Sequence, residues 1–106
     1  MTTRVTPRHL AQENSVEIYL PEGLPIMPGS LYREGARMRP KWVRIRRTYH
    51  QTYVSVHGVA IRANGLEGVQ AQYIGISLPG QHHPWESDLP WESAPDWLRD
   101  LIERYM

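Results

Sequence analysis

The Asn64-Gly65 dipeptide lies between two runs of residues that favour β-structure, and this arrangement constrains the fold more than any other feature of the chain. Residues 52–62 and 67–78 are both rich in Val, Ile, Tyr and Thr, which suit the pleated surface of a sheet. Asn and Gly tolerate the positive φ of a tight turn, so the dipeptide predicts a hairpin. A third β-rich run, at residues 42–48, precedes the hairpin and is joined to it by a short connection. Three such runs in succession predict an antiparallel meander.

An amphipathic pattern near the end of the chain predicts a short helix. Ser93 and Asp96 have the spacing of a capping box, and Pro95 fits the first helical turn, where no amide hydrogen is needed. The apolar side chains fall on one face of that helix: Trp97, Leu98, Leu101, Ile102 and Tyr105. Because so short a helix is marginal alone, we expect this face to pack on the sheet.

With 106 residues the chain is long enough for one domain with a modest core. We predict an α+β fold, with a three- to four-stranded antiparallel β-meander and one C-terminal α-helix packed on it. Residues 1–14 have little periodicity and are expected to form a loose N-terminal arm, followed by a β-rich core at 15–78. Residues 79–93 are expected to be a linker that carries a repeated Pro-Trp-Glu-Ser motif, and the helix follows at 94–106.

The amino-acid composition bounds the class of protein. Cysteine is absent, which excludes disulfides, a cysteine nucleophile and thiolate metal ligands. Arg outnumbers Lys by 11 to 1 and Phe is missing, a bias typical of a GC-rich bacterium or its phage. No apolar run approaches the roughly 18 residues of a membrane span, and the N-terminus lacks the apolar centre of a secretory signal. We therefore expect a cytoplasmic protein without a membrane partner.

Positive charge is concentrated in the first part of the chain. Residues 1–62 carry ten Lys/Arg and four Asp/Glu, a net charge of +6, whereas residues 63–106 carry two and seven, a net charge of −5. The candidate contacts with nucleic acid or another acidic partner are Arg37, Arg39, Lys41, Trp42, Arg44, Arg46 and Arg47. Guanidinium groups bridge phosphates and an indole stacks on a base. The alternative is a solvated sheet face whose cations pair with the acidic second half.

A tandem repeat, Pro-Trp-Glu-Ser, places Trp85 and Trp91 six residues apart in the predicted linker. Spaced tryptophans are efficient anchors at protein interfaces, and the neighbouring prolines keep such a segment extended. The two residues are therefore candidate protein-interaction anchors. The alternative is that both rings cover the protein's own sheet, because a chain without Phe must build its core from Trp, Tyr and aliphatic side chains.

The sequence contains no arrangement of residues that assigns a catalytic, cofactor or metal site. The five histidines are His9, His50, His57, His82 and His83, and their spacing matches no common pair of metal ligands. Ser55 and His57 share one face of a predicted strand, but no acid is placed by the sequence to orient the imidazole. We expect no cofactor and no enzymatic activity.

Two functions remain compatible with these residues. The first is a small non-catalytic protein-binding module, such as an adaptor, an inhibitor or a component of an assembly, which contacts a protein partner. The second is a nucleic-acid-binding protein that uses the Arg-rich sheet face around Arg37–Arg47. The first is the broader hypothesis and the one we favour from the sequence.

Overall fold

The computed structural model describes residues 4–10, 13–30, 35–80 and 88–105. Six strands form one antiparallel sheet with the order β1-β2-β4-β5-β6, and the short β3 pairs with the first residues of β4. The strands are β1 Arg4–Leu10, β2 Glu13–Tyr19, β3 Met27–Pro28, β4 Arg37–Arg47, β5 Thr52–Ile61 and β6 Glu67–Ile76. One turn of 3₁₀-helix at Trp91–Ser93 comes before the helix α1, Asp96–Tyr105.

This architecture confirms the predicted α+β class and the β4-β5-β6 meander. The sheet is larger than predicted because the start of the chain takes part in it. Residues 4–10 pair along the whole of β2, so the prediction of a loose arm at 1–14 is wrong for the part of it that the structure describes. Backbone hydrogen bonds can stabilise a strand whose side chains do not alternate between apolar and polar. Because these residues alternate only weakly, the sequence did not predict a strand here.

The hairpin that Asn64-Gly65 predicts joins β5 to β6, but its turn is longer than a two-residue connection. The Gly65 amide donates to the Arg62 carbonyl at 2.8 Å, and the Arg62 amide donates to the Leu66 carbonyl at 2.8 Å. Gly65 alone takes a positive φ, at 85°, whereas Asn64 keeps a negative one. The Asn64 side chain instead accepts a hydrogen bond from the Leu66 amide at 3.0 Å. Asn64 thus stabilises the turn through its side chain.

A bulge interrupts the pairing of β4 with β5. Lys41 is the extra residue, because its two neighbours in β4 pair with consecutive residues of β5. Pro40, which has no amide hydrogen to donate, lies opposite Gly58 at this irregular position. A Cβ on residue 58 would lie 2.0 Å from the Arg39 carbonyl oxygen, so the close approach of the two strands requires glycine. A glycine inside a β-rich run, as at Gly58, often marks a bulge in its own strand, but here the extra residue is Lys41 of the neighbouring strand.

One face of the sheet carries the hydrophobic core, and α1 packs on that face. The alternating buried residues of β4 and β5 are Val43, Ile45, Val54 and Val56, and the helix contributes Leu98, Leu101 and Ile102. These three helical side chains are at most 1% exposed, in agreement with the predicted apolar face. We call the opposite side of the sheet the polar face. It carries Trp42, Arg44 and Arg46 from β4, because side chains alternate along a strand.

The predicted linker at 79–93 is docked on the sheet over the part that the structure describes. Leu89 forms a parallel bridge with Ile76 at the outer edge of β6 and is 5% exposed. The 3₁₀ turn that follows delays the helix, which begins at Asp96 rather than at residue 94. Pro95 provides the first carbonyl acceptor, for the amides of Leu98 and Arg99, so the structure does not use Ser93 as the N-cap.

Candidate functional site

The seven predicted contacts for an acidic partner do not form one surface. They occupy β4, but the bulge at Lys41 and the alternation of the strand divide them into groups with different neighbours. Arg37 is exposed at the start of the strand. The others lie beside acidic residues, at the end of α1, or on the polar face.

Arg39 and Lys41 have acidic partners within the chain. The Arg39 Nε atom is 3.4 Å from the Glu67 carboxylate, and the Lys41 ammonium is 3.1 Å from the same oxygen. Lys41 also approaches the Glu22 carboxylate at 3.6 Å. Arg39 donates a further hydrogen bond to the Leu24 carbonyl at 2.5 Å. The charge of this pair of cations is therefore balanced locally, as the alternative interpretation of the basic stretch expects.

Arg47 contacts the end of the helix. It follows Val43 and Ile45 on the core side of β4, where its guanidinium group donates to the Tyr105 carbonyl. The last carbonyls of a helix lack partners within the helix and carry partial negative charge, so a cation there stabilises the helix. Arg47 has a structural role at this position, which the sequence did not suggest.

Four aromatic residues form a row across the polar face. The strand registers place Tyr19 opposite Trp42, Trp42 opposite His57, and His57 opposite Tyr73. The Trp42 and His57 rings are stacked, with centroids 3.8 Å apart and planes within 4° of each other, and His57 lies 5.6 Å from Tyr73. Tyr19 and Tyr73, at the two ends of the row, are 40% and 65% exposed. Trp42 is therefore committed to an internal stack, and the ends of the row face solvent.

A cavity of about 220 Å³ opens next to this row. The Nε atom of Arg44 is buried there and has no hydrogen-bond partner among the residues that the structure describes. The Arg46 guanidinium lies 4.8 Å from the centre of the Tyr53 ring, in a cation–π contact. Asp88 covers Gly75, where a Cβ would lie 2.3 Å from the Asp88 carboxylate oxygen. The cavity is lined by Arg44, Arg46, Tyr53, Val54, Ser55, Gly75, Ile76 and Asp88.

His57 lies in the middle of the aromatic row, where its surroundings favour the neutral ring. Partial burial lowers its pKa, the nearby Arg44 cation lowers it further, and the Glu17 carboxylate opposes both effects. The Ser55 hydroxyl and the His57 Nε2 atom are 2.8 Å apart, as in a nucleophile and its general base. No carboxylate within the described residues hydrogen-bonds to His57, so the third member of a catalytic triad is absent from that part of the chain.

The outer edge of β6 exposes apolar side chains. Val69 is 92% exposed, Tyr73 is 65% exposed and Leu66, in the adjoining turn, is 65% exposed. Within the described residues β6 pairs with β5 from Ala71 to Ile76, and the register shifts between Ala71 and Glu67. The other edge of β6 carries one bridge among these residues, at Ile76–Leu89. These residues are not among the candidate contacts that the sequence suggests. The available signal is the absence of any charged residue from Gly68 to Ile76 in a strand that follows a hairpin turn.

The two candidate anchor tryptophans have different outcomes. Trp85 lies outside the described residues. Trp91 begins the 3₁₀ turn and is partly buried against the core cluster, as are Trp97 and Tyr105. A ring that packs on its own domain offers less surface to a partner, and this position favours the covering role for Trp91.

Two kinds of functional feature are absent from the described ranges. These ranges contain no group of three or more His, Asp or Glu side chains that could hold a metal ion. They also contain no helix long and apolar enough to cross a membrane. No protein-family model, no curated protein and no solved structure matches the chain. Two surfaces of the described residues are candidates for binding, the polar face and the edge of β6.

Proposed function

We propose that this chain is a non-catalytic protein-binding module and that its contact surface is the outer edge of β6. The exposure of Val69, at 92%, carries this proposal. A large apolar side chain on an edge strand is unfavourable in water and invites pairing with another chain, so proteins usually protect such edges with charges or prolines. The stretch from Gly68 to Ile76 contains neither.

The backbone of this edge supports addition of a strand. The Gly75 carbonyl accepts from the Leu89 amide at 2.8 Å, and the Ser77 amide donates to the Leu89 carbonyl at 2.9 Å, so both residues direct their polar groups away from β5. Backbone direction repeats every two residues along a strand. Tyr73 and Ala71 therefore also point their amide and carbonyl groups outward, where a partner strand would receive them.

Capture of proteins from a lysate of the source cell tests the proposal. The bait proteins are the wild-type chain, Val69→Lys and the control Tyr49→Lys, which alters a side chain that is 87% exposed in the β4-β5 turn. We expect wild type and Tyr49→Lys to retain the same stoichiometric protein, and Val69→Lys to lose it. Retention by Val69→Lys, or recovery that disappears after nuclease treatment, would contradict a β6 contact.

A second candidate function, binding of single-stranded nucleic acid, is favoured by the cavity on the polar face. Arg44 and Arg46 line it beside an aromatic row, and cations next to aromatic rings suit phosphates and bases. The logarithm of the binding constant falls linearly with the logarithm of the salt concentration. Replacing both arginines with Gln should make this slope shallower by about 0.7 for each lost phosphate contact. The matched control also removes two cations, Arg62→Gln and Arg104→Gln in one variant, at exposed positions outside the cavity. Equal binding by the double variant and the control would exclude this function.

A further inference from the structure

We propose that the partner at this edge is a second copy of the chain, with β6 of one copy pairing antiparallel with β6 of the other about a twofold axis at Ala71. The proposal rests on the proposed function and names its partner. It predicts one continuous sheet through both copies, with the polar faces on the same side.

The sequence of the strand is self-complementary about Ala71. Residues 69–73 read Val-Gln-Ala-Gln-Tyr, in which apolar and amide side chains alternate symmetrically around the central alanine. In an antiparallel pair centred there, each Val69 lies opposite Tyr73 of the other copy, and the two Ala71 residues lie opposite each other. Pairs of an aromatic with a β-branched residue stabilise sheets, by about 0.2–1 kcal/mol each.

Charge and backbone direction agree with this register. A strand paired with its own copy repeats every charge, and like charges opposite each other are unfavourable, whereas Gly68 to Ile76 carries no charge. Ala71 and Tyr73 direct their backbone groups outward by the two-residue period that starts at Gly75. The pairing of β6 with β5 shifts register between Ala71 and Glu67, so this period is regular from Ala71 towards the end of β6. The Leu89 bridge occupies the edge at Gly75–Ser77. The added strand therefore ends before residue 75, and a centre at Ala71 satisfies this limit.

The symmetry of the pair limits the assembly. An antiparallel contact of one strand with its own copy uses the same surface on both molecules, so it closes as a dimer. Pairing of β6 with β1 of the next molecule would use two different edges and would continue as an open filament. Measured mass distinguishes the two arrangements.

The absence of cysteine makes a crosslinking test clean. Residues in a hydrogen-bonded antiparallel pair have Cα atoms about 5.5 Å apart, within the roughly 4.4–6.8 Å range of disulfides. Under mild oxidation, Ala71→Cys should therefore convert to a covalent dimer. Gln70→Cys should not, because a centre at Ala71 separates the two copies of residue 70 by two positions along the strand, beyond about 7 Å. Tyr49→Cys, exposed in the β4-β5 turn, reports random collisions.

The mass of the purified wild-type chain provides the second measurement, by light scattering on a sizing column. We expect twice the chain mass for wild type and for Tyr49→Lys, and the single-chain mass for Val69→Lys. Ala71→Pro should also be monomeric and folded, since it removes an outward-facing amide that β5 does not use. Circular dichroism checks the fold of both variants, and Val69→Lys keeps the test decisive if Ala71→Pro does not fold.

The outcomes separate this inference from the proposed function. If the wild-type chain is monomeric but still captures another protein through Val69, pairing with a second copy is overturned and the proposed protein-binding function stands. A monomeric wild type without capture would overturn both. Filaments, a dimer that Val69→Lys does not dissociate, or a disulfide at Gln70→Cys in place of Ala71→Cys would each overturn the Ala71-centred pairing.

Discussion

Replacement of Leu101 by alanine tests the central feature of the fold, the packing of α1 on the sheet. Leu101 is 1% exposed and lies in the same hydrophobic cluster as Val43, Ile45 and Val56. Removal of a buried leucine side chain costs about 2–5 kcal/mol, because the transfer free energy is lost and a cavity remains. Because α1 covers the sheet as a single layer, it can move towards the sheet and partly fill the cavity. We therefore expect a loss of about 3 kcal/mol in the free energy of unfolding, within this range.

Urea unfolding followed by far-ultraviolet circular dichroism measures this loss. With a denaturant slope of roughly 2 kcal/mol/M, a change of about 3 kcal/mol lowers the midpoint by about 1.5 M. Such a loss is a large part of the roughly 5–15 kcal/mol that stabilises a domain of this kind. All variants are compared at one protein concentration, since self-association would make the midpoint depend on concentration.

The matched control is Glu103→Ala, an exposed position on the same helix. Alanine and glutamate have similar helix propensities, and exposed substitutions usually change stability by less than about 0.5 kcal/mol. If Leu101→Ala and Glu103→Ala unfold at the same urea concentration, α1 does not pack on the sheet, and its apolar face would become the surface to investigate.

Three further predictions concern the sheet and its covering. Gly58→Ala should destabilise the chain by about 1–3 kcal/mol, since its Cβ would lie 2.0 Å from a backbone oxygen, whereas Gly68→Ala, with 3.3 Å, should cost clearly less by urea midpoint. Burial first, then a neighbouring guanidinium, lowers the pKa of His57, so its contribution to stability is complete above its ordinary value of 6.5 and is lost as pH falls below it. The midpoint of His57→Gln should therefore decline less than that of wild type from about pH 7 to about pH 5, and equal declines would contradict a neutral buried ring. Trp91→Ala should destabilise the fold by about 2–4 kcal/mol. An unchanged urea midpoint would mean that the ring does not support the fold, and Trp91 would again be a candidate anchor for a protein partner.

Much of the meander could be predicted because its signals are local. The hairpin at Asn64-Gly65 depends on turn residues between two β-rich runs, and the apolar face of α1 depends on helical spacing. The polar side of β4, with Trp42 and Arg44, follows from the two-residue period of a strand. The N-terminal strand could not be predicted in the same way, since β1 is defined by its backbone pairing with β2 rather than by a clear alternation of side chains.

The candidate sites were harder to predict because residues that are neighbours in the sequence can contact different parts of the folded chain. The cations of β4 are contiguous along the chain, yet Lys41 and Arg39 meet Glu67, from a strand more than 20 residues away, and Arg47 meets the end of α1. The exposed edge of β6 likewise depends on which strands become neighbours. A charge-free run such as 68–76 is equally compatible with a central strand, and its significance appears only when it lies at an edge.

The sequence by itself determined the α+β class, the meander and the amphipathic helix, because turn residues and hydrophobic periodicity act over a few neighbouring positions. The tertiary structure decided which cations are balanced, which aromatic rings stack and which strand ends the sheet. Those properties depend on pairing between distant segments, such as β2 with β4 and Leu89 with β6, whose register a local pattern does not encode. The edge of β6 is a property of the assembled sheet, and so is the surface that we propose for its partner.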